Sequence, residues 1–452
     1  MISTRQFIKK IPVSWGILDQ ALSSATNFGL TILAGRILGP VGLGVVAVGF
    51  AAHLFFMVLH RALVTQPLVV SSSDTSQRAV AATRAALTTT LVIGAISTVI
   101  MFVAGALLGG PTGLGLKLFS FWMAPAMVQD LWRGVLFRDG RGRAAAANDG
   151  VWLIGMLIAL PVSLAAQSDW VVVATWGFGA TAGALLGLVQ TRIGFAAPSM
   201  SREWWLREAW PFGRWLAVEG FVYSAGLVGM YLLLSALLGP AAIGGIRAAQ
   251  VLFAPLTLLG PALGLPGLPA LSRALRTSAA EARVLAAKLS TLLAGATLAY
   301  LLLVGFADRS VLEFVYGRSF GRYGFLVWPM GTAQVITAVG AGALLLLRAA
   351  RASGGLMISR LTTTGGTLLL VGILAGSAGI VAAAWGAVAA AAMGTAVALW
   401  ITARADLTPR SSAGGTLATR LAHWLPARVP AGLDQSQESI LGATSTERDK
   451  DA

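Results

Sequence analysis

The chain has no cysteine. Disulfides, thiolate nucleophiles and thiolate metal sites are excluded with it. Histidine is almost missing as well: only His53, His60 and His423 occur, at spacings that fit no metal motif. Charge is scarce, at 11% of 452 residues, where soluble domains carry about a quarter. The sequence also lacks a P-loop, a GxSxG elbow, an HExxH pair and a dinucleotide-binding glycine fingerprint. Nothing calls for a cofactor, and an enzyme is not expected. Any energy coupling would come from an ion gradient, the membrane potential or the substrate's own gradient.

What is abundant is apolar and small. Hydrophobic residues make up 56% of the chain, with 54 glycines, and the mean hydropathy is +0.77. Small residues let helices approach closely within a bilayer. Segments of about 20 apolar residues are long enough to span. Twelve are expected, near 14–37, 41–63, 85–108, 115–137, 150–167, 170–190, 213–238, 241–264, 288–307, 324–347, 362–382 and 385–403. Arg5, Lys9 and Lys10 precede the first, and no small-residue cleavage site follows it, so it reads as an uncleaved membrane helix. The fold class is therefore an all-α polytopic membrane protein.

The formal charge of +15 would suit nucleic acid in a soluble protein. Here it reports basic cytoplasmic loops instead, and no nucleic acid is expected. With the N-terminus inside, the outer loops hold only Lys117, Arg309, Arg318 and Arg322. Nearly all other Lys and Arg fall in cytoplasmic segments, as the positive-inside rule requires. Both ends are then cytoplasmic, in a bacterial plasma membrane.

One stretch occurs twice, 200 residues apart. Residues 15–49 read WGILDQALSSATNFGLTILAGRILGPVGLGVVAVG, and 215–249 read WLAVEGFVYSAGLVGMYLLLSALLGPAAIGGIRAA. Without a gap, Trp15 aligns with Trp215, Asp19 with Glu219, Gly29 with Gly229, Leu38-Gly39-Pro40 with Leu238-Gly239-Pro240, and Gly44 with Gly244. A duplicated membrane unit is the usual trace of a transporter with its site between the halves. Six helices per half place both halves in the same orientation around a central cavity. The expected division is an N-terminal lobe (1–190), an interfacial linker (191–212) bearing Trp204, Trp205 and Trp210, a C-terminal lobe (213–404) and a tail (405–452). The tail holds one short amphipathic stretch, TLATRLAHWLPARV, and is polar and disordered in expectation from Gly432 onward. A second interfacial stretch is expected at 309–323.

Charges inside spans are costly, and each needs an explanation. Asp19 lies early in the first helix, with Ser23 and Thr26 within about 40° of it around the helix and Asn27 at the edge. Glu219 is its repeat equivalent, with Tyr223 and Met230 on its face. Each is a candidate coupling carboxylate or gate, or a structural carboxylate paired with a loop arginine. Arg36, Arg61 and Arg247 are candidates for a substrate phosphate or pyrophosphate, which a guanidinium holds bidentately. For Arg36 and Arg61 the alternative is snorkelling to headgroups. Asp130 and Arg133, three apart on the fourth helix, are close enough to pair with each other, and are further coupling or gating candidates. Pro255, Pro261, Pro266 and Pro269 mark either a bending element or a static irregular end.

The segment LSSATNFGLTILAGRILGPVGLGVVAVGFAA followed by LHRALVTQP, and the segment VQDLWRGVLFRDGRGRAAAANDGVW, resemble Wzx-like polysaccharide flippases. These belong to the multidrug/oligosaccharidyl-lipid/polysaccharide (MOP) exporter superfamily, and the likeness covers about residues 10–405. It implies two six-helix lobes around a cationic cavity, and flipping of a polyprenyl-pyrophosphate-linked glycan from the inner to the outer leaflet. Arg36, Arg61 and Arg247 are the positions that can meet the pyrophosphate, although the second lobe has Ala236 where the first has Arg36. Membrane lipids, and a polysaccharide polymerase or glycosyltransferases, are the partners this implies. Two other readings stand beside it. One is a cation-coupled multidrug or metabolite antiporter of the same superfamily, using Asp19. The other is a non-transporting membrane scaffold in a cell-wall polymer assembly complex.

Overall fold

Every described element is helical in the computed structural model, which describes residues 13–70, 76–350 and 352–404. Helices satisfy their own backbone groups, as a chain in hydrocarbon must. The chain is thus an all-α polytopic membrane protein. The expected tail structure after 405, and the side chains of Tyr223, Pro261 and Pro266, lie outside the described residues.

Helix α1 (Val13–His60) bends sharply at Gly39 into two arms, then passes through a π-turn (Arg61–Thr65) into α2 (Gln66–Val70). α3 (Ser76–Leu108) turns at Gly109 and Gly110 into α4 (Gly110–Ser120) and α5 (Met123–Arg138). α6 (Gly142–Ile158), α7 (Leu160–Ala166) and α8 (Asp169–Thr191) complete the N-terminal half. α9 (Pro198–Trp204) leads through a second π-turn (Trp205–Ala209) into α10 (Trp210–Leu238). Then come α11 (Pro240–Leu252), α12 (Leu259–Thr277), α13 (Ala279–Gly305), α14 (Asp308–Tyr316), α15 (Val327–Ala349) and α16 (Ser353–Arg404).

Among the described residues, eight helical stretches are long and apolar enough to cross a bilayer. Two of them, Trp15–Val70 and Ser353–Arg404, run to 56 and 52 residues. At 1.5 Å per residue each is more than twice a hydrocarbon core of about 30 Å. Each is broken by a glycine of positive φ, Gly39 at 67° and Gly379 at 74°. Two further pairs are interrupted near mid-length: α4 with α5 at residues 121–122, and α11 with α12 at the 3-10 turn Ala254–Leu258 around Pro255.

The sequence repeat is a repeat of backbone. Gly39 (φ 67°, ψ −167°) and Gly239 (φ 77°, ψ 172°) adopt the same conformation, which glycine alone reaches without strain. Pro40 and Pro240 follow, with no N–H to strand at the start of the next helix. The halves then cross at the second repeated glycine. A Cβ on Gly44 would lie 1.9 Å from the carbonyl oxygen of Pro240, and one on Gly244 would lie 1.9 Å from that of Pro40. The reciprocity is what a two-fold relation demands, and only glycine permits so close an approach.

Apolar side chains face outward along the long helices, for example Val92, Ile96, Val99, Val103 and Leu107 on α3. Such a face needs lipid around it. Of the linker tryptophans, Trp210 is exposed, and Trp204 packs into a buried cluster with Val64, Leu68, Leu131 and Trp132. The 309–323 stretch is helical and amphipathic: in α14 and the 3-10 segment Arg318–Leu326, Phe314 is exposed while Leu312, Tyr316 and Phe320 are buried.

Candidate functional site

α5 and α6 form a hairpin around Asp139–Arg141 that carries a cluster of buried polar side chains. Gln129, Asp130 and Arg133 lie on α5; Asn148 and Asp149 lie on α6. Arg133 donates from Nε to Asp19 Oδ2 at 2.6 Å, and its Nη2 is 2.5 Å from the same oxygen. Nη2 also donates to Gln20 Oε1 at 3.2 Å. Nε lies 3.7 Å from Asp149 Oδ2. Gln129 donates to Asp149 Oδ1 at 2.5 Å and to Asn148 Oδ1 at 3.1 Å. Asn148 in turn donates to the carbonyl of Gly183 and to Gln190. First arm, α5, α6 and α8 are thus tied at one level.

Beside this network, Arg61 grips Asp130. Its Nε reaches both carboxylate oxygens at 3.0 Å, and its Nη2 reaches Oδ1 at 2.7 Å. The π-turn begins at Arg61, and such a bulge resets the direction of the side chains on it. Asp130 is only 7% exposed and Arg61 is 44% exposed.

One expectation changes here. Asp130 and Arg133 do not pair with each other: Asp130 takes Arg61, and Arg133 takes Asp19 and Asp149. Residues three apart on a helix diverge by about 60°, enough for neighbours on two other helices to capture them. Arg61, a candidate for a substrate phosphate, is ion-paired with Asp130 and stays partly exposed.

The charge count is uneven. Asp19, Asp130 and Asp149 face two guanidiniums, Arg61 and Arg133. Asp19 Oδ1 and Asp149 Oδ2 are buried without a hydrogen-bond partner. Buried polar atoms are ordinarily satisfied. This arrangement has room for one more positive charge, such as a proton.

The other candidates fall elsewhere. Glu219 is exposed on α10 and makes no ion pair among the described residues. Arg36 donates from Nε to the carbonyl of Val315 at 2.7 Å and from Nη2 to that of Phe314. Its fork is spent on backbone. Arg247 is half-buried on α11, with its guanidinium carbon 5.6 Å from the centroid of Phe50 in the other half. Tyr231 beside it donates to Gln250 at 2.7 Å. Among the described residues no carboxylate lies within ion-pair distance of Arg247.

Asp149 and Gln129 enter the site although sequence reasoning had not put them there. The signal was present: Gln129-Asp130 and Asn148-Asp149 are adjacent polar pairs in apolar helices, at similar distances from the turn at Gly140. Equal distance along both arms of a hairpin means equal depth.

No protein-family model matches the chain, and no curated protein matches it by sequence. Solved structures do match. An inward-facing multidrug resistance MATE family transporter of the MOP superfamily superposes with a TM-score of 0.70 at 13% identity, covering 88% of this chain and 99% of that one. The lipid II flippase MurJ, in an inward closed conformation, gives 0.67 at 10% identity, covering 86% and 87%. An outward-facing MATE family transporter gives 0.55 at 13% identity, covering 87% and 94%. At these identities the likeness is one of fold: the chain has the fold of MOP superfamily transporters.

Proposed function

We propose that the chain is an alternating-access transporter of the exporter superfamily. It moves a polyprenyl-pyrophosphate-linked oligosaccharide from the inner to the outer leaflet of a bacterial plasma membrane. In this reading the chain has twelve spans and cytoplasmic ends. The lobes are 1–190 and 213–404, joined by 191–212. The Wzx-like assignment, and a polymerase or glycosyltransferases as partners, belong to the same proposal.

One observation carries it. Of the three candidate arginines, Arg61 is neutralised by Asp130 and Arg36 is engaged with backbone, while Arg247, at the junction of the two halves, has no counter-ion among the described residues. An unpaired charge in a membrane interior is expensive. An anionic substrate between the lobes would relieve that cost. The Phe50 ring beside it suits an amphiphile, whose lipid tail stays in the bilayer.

A second reading rests on the Asp19–Arg133–Asp149 cluster. Its surplus carboxylate fits a proton-coupled antiporter for organic cations, and in a flippase the same cluster would serve as the coupling element. Binding distinguishes the two. Purified protein in nanodiscs is titrated with a short-chain prenyl pyrophosphate and with the matching prenol. The flippase reading expects the pyrophosphate to bind at least tenfold tighter, with that preference lost in Arg247→Ala. Equal binding of the two ligands, alongside tight binding of organic cations that needs Asp19, favours the antiporter.

A further inference from the structure

Arg36 has no counterpart in the second repeat, and neither does the element it touches. The alignment places Ala236 opposite Arg36. In the C-terminal half, α13 and α15 are connected by α14 and a 3-10 segment, residues 308–326. In the N-terminal half, the equivalent connection between α3 and α4 is the tight turn at Gly109–Gly110. A side chain and its receptor are thus both confined to one side of an otherwise two-fold arrangement.

The contact itself crosses between halves. α14 ends at Gly317 (φ 102°), whose N–H returns to the carbonyl of Glu313. The carbonyls of Phe314 and Val315, among the last four of the helix, have no intrahelical donor. Arg36, three residues before the bend at Gly39, supplies two N–H groups to them. Its charge also sits at the negative end of the helix dipole. Next to it the Tyr316 ring lies flush on Gly35, where a Cβ would come within 2.5 Å of Cδ1. Farther along the same segment, the Tyr323 ring lies on Gly245 of α11, where a Cβ would come within 2.4 Å. Tyr316, Phe320 and Tyr323 form one aromatic strap, with centroids 5.1 Å and 6.3 Å apart.

The pseudo-equivalent contact exists and is weaker. Ser235, the repeat partner of Gly35, makes a hydroxyl–hydroxyl hydrogen bond with Thr112 on α4. One flank of the outer junction is therefore held by a charged two-pronged cap and an aromatic strap, and the other by one neutral hydrogen bond. Between them lie the reciprocal Gly44–Pro240 and Gly244–Pro40 contacts.

We propose that Arg36 and the 308–326 segment form a one-sided latch on the outer gate, which holds the halves closed on the side of the membrane that Gly39 faces. This assigns Arg36 to the gate and not to the substrate. The proposal rests on the alternating-access reading, but not on the identity of the cargo, and its test uses no substrate.

The absence of native cysteine makes that test direct. Ala47, 3% exposed on the second arm, lies one turn inside Gly44. Ala47→Cys provides a single thiol behind the seal. A membrane-impermeant maleimide added to the outside of intact cells reaches it only when the outer gate opens, so the labelling rate reports the open population. Charge-assisted hydrogen bonds are the strong class, so losing two should raise that rate about tenfold or more. Arg36→Ala and the length-matched Arg36→Met should both do this, and Ser235→Ala should do less. Two variants guard against misfolding in either, and each is first shown to retain the parent's melting temperature within a few degrees. Rates that match the parent in both Arg36 variants would overturn the latch. So would a Ser235→Ala rate equal to or above theirs.

Discussion

Replacing Arg133 by alanine tests the ion network through its sign as well as its size. The cluster holds three carboxylates and two guanidiniums, and Arg133 serves two of the carboxylates. Without it, three carboxylates face Arg61 alone, and Asp19, 1% exposed, loses its partner. Breaking a buried pair from one side costs about 3–5 kcal/mol, because the remaining charge stays desolvated. Asp149→Asn does the opposite: it leaves two charges of each sign and keeps the oxygen that accepts from Gln129. Its effect should stay within about 1 kcal/mol of the parent, in either direction. Replacing all three members at once, by Asp19→Asn, Arg133→Met and Asp149→Asn, should cost less than Arg133→Ala alone, since no unpaired charge remains. The assay is equilibrium unfolding in detergent for the parent, both single variants and the triple variant. If Asp149→Asn destabilises as much as Arg133→Ala, the surplus-carboxylate reasoning is refuted.

Three smaller predictions follow from individual contacts. Arg61→Ala should destabilise by less than Arg133→Ala, about 1–3 kcal/mol, because Arg61 is 44% exposed and water can reach the space it leaves beside Asp130; the same unfolding assay ranks the two. Gly44→Val and Gly244→Val should each weaken the junction of the halves by about 1–3 kcal/mol, since the added Cβ would overlap a proline carbonyl. Because the contacts are reciprocal, the two losses should be similar, and strongly unequal losses would count against the two-fold relation. Gly39→Ala and Gly239→Ala should each cost about 1–2 kcal/mol from positive φ, seen as lowered melting temperatures of similar size.

Much of the architecture was legible because membrane sequences expose their physics. Runs of apolar residues gave helices, and Leu-Gly-Pro at 38–40 and 238–240 gave the two matching bends, since proline cannot continue a ladder and glycine alone accepts the left-handed turn between helices. Helix breaks inside spans were less legible. Nothing in 115–137 announced the interruption at 121–122, whereas Pro255 did mark the 3-10 turn at Ala254–Leu258. Charges were legible as unusual but not in their pairing. Spacing along α5 suggested Asp130 with Arg133, yet pairing is decided by what lies across the bundle, and a single sequence does not contain that register. Arg36 shows the same limit from another side. An arginine near the end of a span suggests a substrate anion or snorkelling to headgroups. Its acceptors are backbone carbonyls some 280 residues away, which no side-chain motif reports.

The central claim is that Arg247 meets an anionic lipid-linked sugar between the lobes. It is tested most directly by leaflet translocation. Purified protein is reconstituted in liposomes with a fluorescent polyprenyl-pyrophosphate oligosaccharide, and dithionite reports how much of the lipid has changed leaflet. The account predicts flipping by the parent protein, loss of at least tenfold in rate for Arg247→Ala, and partial retention in Arg247→Lys. Absence of flipping by the parent, or an Arg247→Ala rate equal to it, would contradict the account.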